Sequence, residues 1–97
     1  MQKDLFARLE DLRGKTICGI YKLQVFNHIY IGSSVNIKKR LRRHRTLLRN
    51  NKHENNFLQN AYNKYKSIDY EILETVDLKM DFLKIRQLES EYIKKYN

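Results

Sequence analysis

The stretch GIYKLQVFNHIYIG, from Gly19 to Gly32, constrains this chain more than any other. Two glycine-bounded triplets, Gly19-Ile20-Tyr21 and Tyr30-Ile31-Gly32, bracket a polar kink at Asn27-His28. Thr16 to Val25 reads as a strand, because Ile17, Gly19, Tyr21, Leu23 and Val25 share one face at period two. His28 to Gly32 reads as its antiparallel partner. Asn27 is the expected turn residue, since asparagine tolerates unusual backbone angles. A two-residue loop at Phe26-Asn27 sets Leu23 opposite Tyr30 and puts Tyr21 diagonal to Tyr30 on the same face. A three-residue loop would send one ring to the other face. The same-face register is the expectation. Each tyrosine by itself is an ordinary strand aromatic. Gly19 and Gly32 are less ordinary, because glycine weakens a strand and marks close approach of another group.

The rest of the chain alternates helix and strand signals. Gln2 to Arg13 carries Leu5, Leu9 and Leu12 at helical spacing, and Gly14 ends that helix. Ser34 is expected to cap a helix from about Val35 to Arg49, with Ile37, Leu41 and Leu48 as its apolar stripe and Leu47 nearby. A polar loop, Asn50 to Asn56, precedes a second helix with Phe57, Leu58, Ala61, Tyr62 and Tyr65 as apolar positions. Ile68, Tyr70 and Ile72 alternate with polar residues and mark a third strand reaching about Val76. Asp77 or Asp81 then caps a last helix, whose apolar positions include Phe82, Ile85, Leu88, Tyr92 and Ile93. This order predicts an α+β fold: a small three-stranded antiparallel sheet flanked by helices. With 97 residues the chain suits one domain. Residues 1–15 are expected to form a helical extension and residues 16–97 the domain proper.

Charge narrows the partner. Twenty Lys and Arg against eleven Asp and Glu leave a net charge of +9. Seven of those twenty bases fall between Lys38 and Arg49, which is the footprint of a polyanion partner. Cys18 is alone, so neither an intramolecular disulfide nor a cysteine-rich zinc site is available. That suits a reducing cytosol, and a cytoplasmic or nucleoid-associated location is expected. No stretch approaches the ~20 apolar residues of a membrane span.

Individual polar residues divide into ordinary and informative ones. Arg40 and His44 are four apart and stack on one helix face. His44 by itself reads as a surface histidine, and His28 and His53 show no ligand spacing and read as incidental. Glu89 is sharper. It lies four residues after Ile85 and four before Ile93, on or beside the packed stripe. A carboxylate there is costly unless it is paired or binds a cation. The plain reading is a salt bridge to Arg40 or Arg86. The functional reading is a hard-cation ligand, since Mg²⁺ takes one or two carboxylates plus water and substrate phosphate.

Taken together, these residues resemble the GIY-YIG nuclease family, which is named for the two triplets that stand here unchanged. The segment SSVNIKKRLRRH looks like the family's next element, with Arg40 as its arginine and His44 one turn later. The segment LESEYIKKYN looks like the acidic element, with Glu89 in the metal-ligand position. The resemblance spans about residues 16–97. Asn97 is the one candidate for an asparagine that family members usually carry beyond the glutamate.

The resemblance implies a metal-dependent DNA endonuclease that hydrolyses phosphodiester bonds. It gives Tyr21 the role of general base on the attacking water and Tyr30 that of orienting the water or phosphate, with the two roles exchangeable. Arg40 would stabilise charge on the scissile phosphate, and His44 would hydrogen-bond the phosphate or move a proton. Glu89 would hold one Mg²⁺ or Mn²⁺ ion. Lys38, Lys39, Arg42, Arg43 and Arg45 would grip the DNA backbone, which positions a protein without reading sequence. Specificity would come from an attached or separate DNA-binding domain. Two alternatives are a non-catalytic nucleic-acid-binding module of the same fold and an adaptor whose basic face binds an acidic protein.

Overall fold

The computed structural model describes residues 16–77 and 79–96. The expected N-terminal helix and Asn97 lie outside these residues. The elements run β1 (Gly19–Val25), β2 (His28–Ser34), α1 (Ile37–Arg49), α2 (Asn56–Tyr65), β3 (Asp69–Thr75) and α3 (Phe82–Tyr96). One antiparallel sheet has the strand order β2-β1-β3.

The hairpin turns at Phe26-Asn27, so Leu23 pairs with Tyr30 and Tyr21 with Gly32. This is the same-face register expected from the sequence. The side chain that takes the unusual backbone angle is Phe26, with φ of 54°, rather than Asn27.

Alternation along β1 gives the sheet two buried faces. Tyr21, Leu23 and Val25 point toward α1 and α2, where they join Ile37, Leu41, Leu48, Leu58, Ala61 and Ile68. Cys18 and Ile20 belong to the opposite cluster, with Ile85 of α3. Pairing with β3 slips by one residue between Ile20 and Tyr21: Ile20 faces Glu74, whereas Tyr21 faces Ile72. Beside that slip, a Cβ on Gly19 would run into the Glu74 carbonyl oxygen. The first glycine is therefore a backbone-approach site.

Asn36 caps α1 instead of Ser34. Its side-chain oxygen accepts from the Lys39 amide at 3.2 Å, and Ser34 Oγ accepts from the Asn36 amide at 3.0 Å. The helix therefore starts at Ile37, whose amide donates to Ile17 O at 2.8 Å and ties the helix to the strand entry. Ile37, Leu41, His44 and Leu48 make its buried stripe. Asn55 caps α2 by accepting from the Leu58 amide, and Asp81 caps α3 by accepting from the Leu83 amide, both at 3.0 Å. Four positions read as apolar contacts are largely exposed: Phe57, Tyr65, Phe82 and Ile93. Each lies on a helix that already presents a narrower buried stripe to the sheet.

Candidate active site

Tyr21 lies directly across from Gly32 in the hairpin, and its ring occupies the space that a side chain there would need. A Cβ on Gly32 would sit 2.5 Å from Tyr21 Oη and 2.6 Å from Cζ. The second glycine is thus a seat for the phenol. This explains why tyrosine and glycine come together in the hairpin. The Tyr21 ring is 0% exposed, whereas Tyr30 is half-buried, with ring centroids 6.4 Å apart.

His44 closes the cluster from α1. Its Nε2 lies 2.7 Å from Tyr21 Oη and its Nδ1 lies 2.7 Å from His53 Nε2. The two imidazoles stack, with centroids 5.0 Å apart. His44 is 5% exposed, so the surface reading of this residue does not hold. The reason is its position: 44 continues the stripe of 37, 41 and 48. His53 is buried as well and is not incidental. The Asn55 amide donates to its Nδ1 at 3.0 Å, and its own amide donates to Gln59 Oε1 at 3.0 Å. Gln59, buried in α2, also donates to Leu48 O at 3.0 Å and so clamps the loop between the helices. His28 is exposed.

Burial sets the protonation states. It pulls the His44 pKa down to about 3, with help from His53, Arg40 and Arg43. It lowers His53 too. Both rings are therefore neutral near pH 7. Burial raises both phenols above the ordinary tyrosine value, Tyr21 furthest. The Arg40 charge opposes that rise at both phenols, while the Glu89 charge adds to it. Arg40 from α1 and Glu89 from α3 therefore both act on the tyrosine pair.

Tyr30 opens onto a groove of about 1220 Å³, lined by Asn36, Lys39, Arg40, Arg43 and His53 among others. That exceeds the roughly 300–1,000 Å³ of a small-molecule site and suits an extended ligand. The basic residues of α1 separate into two sets. Lys39, Arg40 and Arg43 line the groove, whereas Lys38, Arg42 and Arg45 are outside its lining. Arg43 also lies 3.7 Å from Glu54, an exposed pair of small energetic weight.

Glu89 is half-buried on α3. Among the described residues it has no ion-pair partner within 4 Å, so the plain reading, a bridge to Arg40 or Arg86, is not what the structure forms. No group of three His, Cys, Asp or Glu side chains is placed to hold a metal among these residues. A single unpaired carboxylate still fits one kind of ion. Mg²⁺ keeps several waters and completes its shell with substrate phosphate.

Sequence reasoning missed His53 and Gln59. The pattern signal available for Gln59 is its place beside Leu58 on the inner side of α2. For His53, in a polar loop, no pattern signal exists.

A profile for the GIY-YIG catalytic domain matches residues 18–97. Two solved structures are similar over most of their length. One is the catalytic domain of the intron endonuclease I-TevI in a mutant form. It has a TM-score of 0.76 and 28% identity, over 84% of this chain and 86% of that one. The other is the catalytic domain of the homing endonuclease I-TevI. It has a TM-score of 0.76 and 29% identity, over 82% of this chain and 88% of that one. No curated protein matches. With the profile spanning most of the chain and the fold matching both I-TevI catalytic-domain structures, this chain belongs to the GIY-YIG family and is a nuclease domain, a phosphodiester hydrolase.

Proposed function

We propose that the domain is a DNA endonuclease that works through the Tyr21–Tyr30 pair, with Arg40, His44 and Glu89 around it. One observation carries this reading: a half-open phenol at the head of a basic groove, with the Arg40 and Glu89 charges both acting on it. The family membership and the I-TevI similarity support DNA as the substrate.

The geometry favours Tyr30 as the group that takes the water proton. Tyr21 has no access to solvent, and burial moves its phenol further from ionisation. This exchanges the two roles expected from the resemblance. In the step, Tyr30 first gives its proton to bulk water at the groove, and the attacking water oxygen then bonds to phosphorus as one of its protons passes to the resulting phenolate. The bond to the leaving oxygen breaks, and that oxygen takes a proton from solvent. Arg40 favours the phenolate and the charge that develops on the phosphate. Tyr21 and His44 hold the Tyr30 ring in place. Lys39 and Arg43 seat the phosphate backbone along the groove, with Lys38, Arg42 and Arg45 available to flanking phosphates. GIY-YIG nucleases generally use a divalent metal. Glu89 would hold one such ion, Mg²⁺ or Mn²⁺, which supplies Lewis acidity to the phosphate and the leaving oxygen. Sequence choice would come from a further DNA-binding domain, since phosphate contacts carry no sequence information.

Supercoiled plasmid with Mg²⁺ tests this. Wild type should nick it, EDTA should stop the nicking, and Tyr30→Phe and Glu89→Ala should each lose about 10²–10⁴-fold in rate. Plasmid that is bound in a salt-sensitive way but stays intact would return the chain to a non-catalytic binding module.

A further inference from the structure

We propose that His53 is a positioning residue whose tautomer, fixed by the Asn55 backbone amide, sets the direction of every hydrogen bond from the α1–α2 loop to the Tyr21 hydroxyl, and so the side of Tyr21 on which its proton faces Tyr30. The proposal rests on the nuclease reading for its consequence, but its geometry stands apart from it.

A backbone N–H can only donate. The Asn55 amide meets His53 Nδ1 at 3.0 Å. His53 Nδ1 is therefore bare, and a neutral imidazole then carries its single proton on Nε2. That N–H faces His44 Nδ1 at 2.7 Å and must donate to it. His44 is neutral too, so its proton lies on Nε2, where it donates to Tyr21 Oη at 2.7 Å. The Tyr21 hydroxyl proton is then free to point away from His44, toward Tyr30, whose ring centroid lies 6.4 Å away. Reversing the chain would aim a protonated His53 Nδ1 at the Asn55 N–H.

The direction has a chemical consequence. Tyr21 cannot pass a proton inward, because His44 Nε2 already carries one. The buried side of the cluster is closed to proton uptake, which leaves the Tyr30 oxygen as the terminus that accepts. The Tyr21 hydroxyl proton faces it, and hydrogen bonds to the charged form favour a phenolate. His53 acts on this oxygen through two intervening side chains. Its loop is held in register by Gln59, which accepts from the His53 amide and donates to Leu48 O.

Long-range ¹H–¹⁵N spectra of histidine-labelled wild-type protein read the tautomers without any turnover. The expected result is Nε2–H on both His53 and His44. A proton on His44 Nδ1 overturns the proposal. Two variants of near-equal size then test the consequence in the plasmid assay. His53→Gln keeps an N–H donor toward His44 and should hold kcat within about threefold of wild type. His53→Glu offers only an acceptor, which flips His44 and withdraws the Tyr21 donor from Tyr30. Its kcat should fall at least about tenfold at unchanged KM, with the His44 proton moved to Nδ1. Equal kcat in the two variants, measured on folded protein, overturns the positioning role. A wild type with the expected tautomers that nicks no plasmid counts against the nuclease reading and not against the hydrogen-bond direction.

Discussion

The two faces of the sheet are built from the same strand in different ways. Toward α3, Ile20 and Cys18 meet Ile85 in a small apolar cluster, and the polar groups stay near the surface. There Lys22 lies 3.4 Å from Glu71 and 5.0 Å from the Tyr96 ring centroid, and Tyr92 donates to Glu74 at 2.8 Å. Toward α1 and α2, the apolar core runs directly into buried Tyr21, His44, His53 and Gln59. Among the described residues, no buried side-chain nitrogen or oxygen lacks a partner. A buried polar group without a hydrogen bond costs about 1–3 kcal/mol, so this network survives only because it is complete. The α3 face shows what the sheet needs to fold. The α1–α2 face carries a polar network that folding alone does not require, and it lies where the groove opens.

The contrast predicts that the faces respond differently to mutation. The largest stability effect belongs to the α3 face. Ile20 is fully buried, so Ile20→Ala should cost about 2–4 kcal/mol in urea denaturation. Nicking per folded molecule should stay at the wild-type level. A rate that falls further than the folded fraction would show that the two faces are not separable.

Gly32→Ala should cost less stability but more activity. Its Cβ would press on the Tyr21 hydroxyl end, and overpacking of this kind costs about 1–3 kcal/mol. Displacing that phenol disturbs the donor to Tyr30, and nicking should drop by about tenfold or more. A variant that nicks normally would mean the phenol can shift without consequence.

Acid should probe the α1–α2 face. The His44 pKa is about 3 in the folded protein against 6.5 ordinarily. Between those values the unfolded chain binds a proton that the folded chain does not, so stability rises with pH and is lost as pH falls through this window. At ~1.4 kcal/mol per pH unit, going from pH 6.5 to pH 5 should remove about 2 kcal/mol. His44→Gln should lack that component, which paired denaturation curves at the two pH values would reveal.

The smallest effect lies on neither face. Lys66 ends α2 in the left-handed conformation, with φ of 57°. Lys66→Gly removes the Cβ strain there and should stabilise the fold by roughly 0.5–1 kcal/mol with nicking unchanged. A rise in melting temperature is the readout. A loss of nicking would extend the site beyond the groove.

Much of the fold was legible because it rests on local rules. Period-two alternation and a two-residue turn are enough to pair Leu23 with Tyr30. Helical stripes are enough to bury Ile37, Leu41, Leu48 and Ile85. The cap at Asn36 was misplaced by two residues because Ser34 and Asn36 are both good caps, and the Ile37–Ile17 backbone bond, which selects between them, joins residues distant in sequence. Exposure of Phe57 and Phe82 was not legible either, since which side of a short helix faces the sheet depends on the crossing geometry.

The sequence by itself determined the hairpin, the two glycine-bounded triplets, the basic helix and the carboxylate at Glu89, because each is a matter of spacing along the chain. Tertiary structure alone decided that His53 is buried, that Gln59 holds it, and that Tyr21 lies under cover while Tyr30 meets the groove. Those outcomes depend on how a six-residue polar loop, Asn50 to Asn55, packs between two helices. Nothing in its composition distinguishes a loop that stays in water from one that carries a backbone amide to a buried imidazole.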